Sequence, residues 1–300
     1  MPPGAGPHPA VVLIHGTGRQ TRDEWRLFGT HFVRNGVAAL LYDKRDVGHD
    51  PSGMDLVDLD ELAGDALAAV RWLQTRADIS RIGLWGISQG GWVAPIVAAQ
   101  TPDIAFLIAI AAPGVSYAEV NLFAVANRLR ARGFSATEVT EVQTALRRLD
   151  EFMRSGVDRA GTEAMLVEAQ RQRWFPPSTL PAALPTERER QTWLRWRNLD
   201  LDPVTYWERV RVPVLLLYGE RDAIVPVASS IERITAALGR AENSRLTVNV
   251  FPEADHALML SAPAGASGER AVEAEGGPRL APRSLETMTQ WVLEQVGRSR

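Results

Sequence analysis

The sequence predicts an α/β protein whose mostly parallel central sheet is flanked by helices and interrupted by one long helical insertion. Three observations carry this. Six short apolar runs recur along the chain, Ala10–Ile14, Val37–Tyr42, Ile82–Trp85, Ile104–Ala109, Val214–Tyr218 and Leu246–Phe251. Helical patterns separate them, as in a sheet wound through crossover helices. From about Val115 to Leu199 the strand pattern stops and the chain reads as helix throughout.

Several of the runs are apolar at every position rather than alternating, which predicts strands buried on both faces. Between the second and third, Leu59, Leu62, Ala66, Ala69 and Leu73 recur at spacings of three and four. That spacing predicts an amphipathic helix capped by Asp58 or Asp60. A further helix is expected after Ser88, through Trp92, Ile96 and Ala99, with Pro95 early in it. The apolar stretch from Ile104 to Val115 is too short for a membrane span of about 20 residues and reads as a buried strand.

The insertion predicts helices at Asn121–Arg132, Ala136–Ser155 and Gly161–Trp174, then a break at Pro176, Pro177, Pro181 and Pro185. A helical stretch of this length between two core strands is expected to lie over the strand ends as a cap. The expected organisation is a core of residues 1–114 and 205–300 with a cap at 115–204. Residues 261–283, rich in Ala, Gly and Pro, read as a surface loop, and an amphipathic helix at Leu285–Val296 closes the chain.

Composition excludes some chemistry. The chain of 300 residues has no cysteine, so disulfides, thiolate metal sites and cysteine nucleophiles are absent. A net charge of −3 gives no electrostatic footprint for nucleic acid. Arg188, Arg190, Arg195 and Arg197 cluster, but Glu187 and Glu189 interleave, which predicts a solvated, self-compensating helix face. The N-terminus MPPGAGPHPA lacks a basic segment leading into an apolar run, so a cytoplasmic location is expected.

The chemistry concentrates in a few places. Gly86-Ile87-Ser88-Gln89-Gly90 is a G-x-S-x-G pentapeptide with a predicted strand before it and a helix after. A serine on so tight a turn needs small neighbours, and the turn lifts its hydroxyl above the sheet edge. Ser88 is the predicted nucleophile. Serine needs a base, and of the five histidines only His256 follows it, as the chain order nucleophile, acid, histidine requires. The acid is expected after the strand Val214–Tyr218, in Gly219-Glu220-Arg221-Asp222. Glu220 and Asp255 compete, but Glu220 sits close to the strand end and Asp255 adjoins the histidine it would orient. Asp222 is favoured. His15-Gly16-Thr17-Gly18, after the first strand, predicts an oxyanion hole from the backbone N–H of Thr17 and that of Gln89, with His15 shaping the loop.

The segments HGTG, YDKRDVG, GLWGISQGGW, LLLYGERD and EADH, in this order, resemble the bacterial α/β-hydrolase esterases. The likeness is greatest to the esterase/lipase, prolyl-oligopeptidase-like and serine-aminopeptidase-like hydrolases with a helical cap. It covers about residues 9–114 and 205–260, and little of the cap. It implies an α/β-hydrolase fold and hydrolysis of a small-molecule ester through an acyl-enzyme on Ser88, with no metal and no organic cofactor. Two features depart from the family pattern. Asp46 stands where YDKRGVG has glycine, and the chain begins almost at the strand before HGTG, where relatives usually carry further strands. A peptidase, amidase or acyltransferase with the same three residues is the alternative enzyme, and a non-catalytic ligand-binding protein the alternative of another class. Trp174, Phe175, Trp193 and Trp196 are the expected lining of the substrate pocket.

Overall fold

The structure, a computed structural model, describes residues 1–45, 58–197, 199, 201–260 and 279–297, side chains of 193–197 excepted. All six expected strands form. They are β1 (His8–Ile14), β2 (Ala38–Leu40), β3 (Ile79–Ile87), β4 (Ile104–Ile110), β5 (Val214–Gly219) and β6 (Leu246–Phe251). They make one sheet in the order β2-β1-β3-β4-β5-β6, every adjacent pair parallel. The central β3 runs longer than its apolar core suggests because β1 and β4 both extend its ladder. β2, an edge strand paired only with β1, is shorter than expected.

The two-residue period of a strand divides the core in two. Ala10, Val12 and Ile14 face one cluster, packed under α2 (Leu59–Gln74), α3 (Gly90–Gln100) and α9 (Val227–Arg240). Val11 and Leu13 face the other, under α1 (Arg26–Arg34) and the last helix, Ser284–Gly297. Burial on both sides explains the unbroken apolar runs, each fully buried Val, Leu or Ile contributing roughly 1.5–3 kcal/mol. α2 settles its own cap, because the Asp58 side chain accepts from the Asp60 N–H at 2.9 Å. α1 has no clear signal in the sequence, since Gly29 and Thr30 sit in its middle, and tertiary packing of Phe28 and Phe32 holds it.

Between β4 and β5 the chain is helical, as expected. It forms α4 (Tyr117–Ala131), α5 (Ala136–Ser155), α6 (Arg159–Ala169), a turn at Pro176–Ser178, α7 (Glu187–Arg197) and α8 (Val204–Trp207). α4 starts four residues earlier than its apolar pattern because Ser116 and Glu119 form a capping box. α6 ends five residues sooner than expected. The arginine cluster is not solvated throughout. Arg190 does pair with Glu187, but it is buried rather than solvated, and it donates to the Met153 carbonyl at 2.7 Å, at the C-terminal end of α5. A helix end leaves carbonyls without partners, and a guanidinium fits them.

Most of the expected loop 261–283 lies outside the described residues. At its borders β7 (Met259–Leu260) pairs antiparallel with β8 (Arg279–Leu280), after which the closing helix α10 (Ser284–Gly297) follows. Asp46 also lies outside the described residues. Among those described, no helix is long and apolar enough to cross a membrane.

Candidate active site

Ser88 occupies the turn between β3 and α3 with φ at 53°, in the left-handed region. A non-glycine residue held there costs on the order of 1–3 kcal/mol and persists only where the surroundings fix it. They do. The Ser88 N–H donates to the Ile110 carbonyl at 2.9 Å, and the Gly91 N–H closes onto the Ser88 carbonyl at 2.7 Å. The flanking glycines are required by close approach. A Cβ on Gly86 would lie 2.3 Å from the Gly90 carbonyl oxygen, and one on Gly90 would lie 2.6 Å from that of Ile14. The turn is thereby pressed against the end of β1, where the Gly16–Thr17 loop begins.

Asp222 sits in the loop after β5 with its side chain fully buried. Its Oδ1 accepts from the N–H groups of Ile224 and Val225 at 2.8 and 2.9 Å, and its Oδ2 lies 2.8 Å from His256 Nδ1. Two backbone donors fix one oxygen, so the other is aimed at the ring. His256 follows β6, and the two loops are tied by Glu220 N–H to Phe251 O and Arg221 N–H to Ala254 O, each at 2.9 Å. The competing carboxylates are occupied elsewhere. Asp255 Oδ1 accepts from the N–H groups of Ala257 and Met259, both at 2.9 Å, shaping the histidine loop. Glu220 Oε2 accepts from the Glu253 N–H at 3.1 Å.

Ser88, His256, Gly16, Thr17 and Gln89 line one cavity of about 370 Å³, within the range of small-molecule sites. Trp25 and Trp92 form part of its wall, and Tyr117, Val120, Asn121, Ala124 and Arg128 of α4 another part, with Thr179 and Ile224. His15 is buried behind the loop with its ring edge-on to Tyr42, centroids 4.6 Å apart. Burial, chiefly, lowers its pKa, which suits a structural ring rather than a proton carrier.

The expected pocket residues fare differently. Trp174 and Phe175 are not among the described residues lining this cavity. Trp174 lies in a separate groove between α5 and α6, its Nε1 donating to Glu141 at 3.0 Å, and Phe175 packs against the core. Helix periodicity places an aromatic in the insertion but does not say which side faces Ser88. The side chains of Trp193 and Trp196 lie outside the described residues. α4 supplies that wall instead.

One residue at the site stands in the YDKRDVG segment, to which the sequence assigned no catalytic part. In Tyr42-Asp43-Lys44-Arg45, Asp43 pairs with Arg22, and Arg45 with Asp65 at 2.6 Å. Both face outward elements. Lys44 turns inward and is buried, its Nζ donating to the Gly16 carbonyl at 2.6 Å and to Gln89 Oε1 at 2.8 Å.

A family model described as the alpha/beta hydrolase family matches residues 11–267. Esterase EstD of Thermotoga maritima is 26% identical over 307 residues, which takes in 98% of this chain, while the chain spans 64% of that relative's length. Among solved structures, that of TT1662 from Thermus thermophilus aligns with a TM-score of 0.56 at 16% identity, covering 100% of this chain and 92% of its own. A Pyrococcus furiosus esterase aligns at 0.53 and 16% identity, covering 98% and 83%. Sheet order, the strained serine turn and the family match agree, and the chain belongs to the alpha/beta hydrolase family.

Proposed function

We propose that this protein hydrolyses carboxylic esters of small molecules through an acyl-enzyme on Ser88. The observation that carries the reading is buried Asp222 lying 2.8 Å from a half-buried His256, which opens onto the same cavity as a serine at φ 53°. His256 takes the Ser88 proton as the hydroxyl oxygen attacks the ester carbonyl. The tetrahedral oxyanion is met by the N–H groups of Thr17 and Gln89, each such donor contributing about 3–4 kcal/mol to transition-state stabilisation. His256 then protonates the departing alkoxide, and water, deprotonated by the same ring, releases the acid and restores Ser88. Asp222 holds the ring with Nδ1 protonated and Nε2 free to accept, and its charge favours the imidazolium that forms.

The similarity to an esterase of Thermotoga maritima supports this reading. In it, residues 115–204 form a cap whose first helix, α4, supplies the acyl or alcohol subsite.

The test is hydrolysis of p-nitrophenyl acetate and butyrate, with fluorophosphonate labelling, for the wild type and Ser88→Ala. Turnover and a label on Ser88, both lost in the variant with its circular dichroism unchanged, are expected. A folded wild type that neither turns over nor labels overturns the reading in favour of a ligand-binding protein. Turnover of amides at rates matching esters moves it to the amidases.

A further inference from the structure

We propose that Lys44 is a positioning residue of the oxyanion hole, its ammonium holding the Gly16–Thr17 peptide in the orientation that aims the Thr17 N–H into the cavity. The inference rests on the esterase reading of Ser88 and adds to it a residue that neither touches the substrate nor belongs to the Ser-His-Asp set.

The carbonyl of Gly16 and the N–H of Thr17 belong to the same planar trans unit and point in opposite directions. Whatever binds the Gly16 oxygen therefore fixes where the Thr17 N–H points. Lys44 Nζ binds that oxygen at 2.6 Å. The same ammonium donates to Gln89 Oε1 at 2.8 Å, and Gln89 carries the second oxyanion donor on its backbone. One buried cation thus joins the two loops whose N–H groups must converge on a single oxygen.

Three further observations agree. Thr17 and Gln89 both line the cavity that holds Ser88. Gly16 runs close beside the nucleophile, since a Cβ on it would lie 3.7 Å from the Ser88 Cβ. The Lys44 N–H also donates to the Gln20 carbonyl at 3.0 Å, so backbone and side chain of Lys44 hold both ends of the 16–20 loop. A cation on a carbonyl oxygen also polarises the peptide, so its N–H becomes a stronger donor to an oxyanion. Gly16 has no side chain to resist a flip of the Gly16–Thr17 peptide, which would turn a carbonyl oxygen toward the developing negative charge. Lys44 makes that flip costly.

The experiment compares wild type, Lys44→Met and Gln89→Met with p-nitrophenyl butyrate, rates expressed per Ser88 titrated with fluorophosphonate. Loss of a whole oxyanion donor lowers kcat about 10²–10³-fold. In Lys44→Met the donor remains but is no longer held, and kcat per site is expected to fall about 10- to 100-fold with KM within about a factor of two. The fluorophosphonate labelling rate falls in parallel, because phosphonylation builds charge on the same oxygen. Gln89→Met keeps the Gly16 bond and is expected to lose about 3- to 10-fold in kcat per site.

A merely structural lysine would lower the melting temperature and the titratable fraction while leaving kcat per titrated site unchanged, and that result overturns the proposal. Should Lys44→Met not fold, Lys44→Gln, whose shorter neutral amide cannot bridge Gly16 and Gln89, takes its place, a wild-type kcat per titrated site overturning the proposal and a reduced one supporting it. A wild type that neither labels nor hydrolyses overturns the esterase reading and this one with it. An active wild type beside a fully active Lys44→Met overturns this one only.

Discussion

The carboxylate of Asp222 faces three donors at once, the N–H groups of Ile224 and Val225 and the Nδ1 of His256. A carboxylate has two oxygens to meet them, whereas an amide in its place has one oxygen and an NH₂. Asp222→Asn therefore forces at least one donor to face another inside a fully buried position. Either the loop loses a backbone hydrogen bond or His256 is held in the wrong tautomer. In the second case kcat for p-nitrophenyl butyrate is expected to fall on the order of 10³–10⁴-fold with little change in melting temperature. A loss below tenfold would show that Asp222 does not set the tautomer. The pairing of Asp222 with His256, beside a cavity that His256 shares with Ser88, could be anticipated because each of the three is signalled locally: Ser88 by its glycines, His256 by chain order, Asp222 by its place after a strand. The contacts of Lys44 could not, since they form only when the segment after β2 packs against two other loops.

Element ends decide how the insertion holds its shape. α5 begins with a capping box in which Ser135 and Glu138 satisfy each other's backbone N–H groups. Glu138 also takes a two-pronged contact from Arg173 at 2.6 and 2.8 Å, which ties the start of α5 to the segment after α6. Arg173 first, then the Ser135 contacts, hold the Glu138 carboxyl down at about 2 against an ordinary value of 4.5. A carboxyl whose pKa is depressed in the folded state stabilises above its unfolded value and loses that contribution as pH falls from about 4.5 to about 2. Glu138→Gln is accordingly expected to lower the urea midpoint near neutral pH and to match wild type near pH 2. A constant gap between the two across this window would mean that the charge is not what matters. The S-x-x-E signature of this box stands in the sequence. Nothing there shows that Arg173, 35 residues on, returns to it, because that contact depends on how α5 and α6 pack.

At the scale of the molecule, the sheet places Ser88, Asp222 and His256 beyond the C-terminal ends of β3, β5 and β6. In an open parallel sheet ligands bind at that edge. The chain pattern predicted parallel strands and a helical insertion, but the spatial order β2-β1-β3-β4-β5-β6 is not written in the order of elements along the chain. Nor is the face of the insertion that meets the cavity. Helical periodicity marks a buried side, and in α4 the buried side serves both the core and the wall of the site. Ala124 is a small residue on that wall. Replacing it with tryptophan adds a large ring to a cavity of about 370 Å³ while leaving Ser88, His256 and the backbone donors untouched. If α4 lines the acyl subsite, Ala124→Trp should lower kcat/KM for p-nitrophenyl octanoate at least tenfold more than for the acetate, a differential of about 1.4 kcal/mol. Equal losses on both esters would move the acyl chain away from α4, toward the wall formed by Trp25 and Trp92, and would leave α4 to the leaving group.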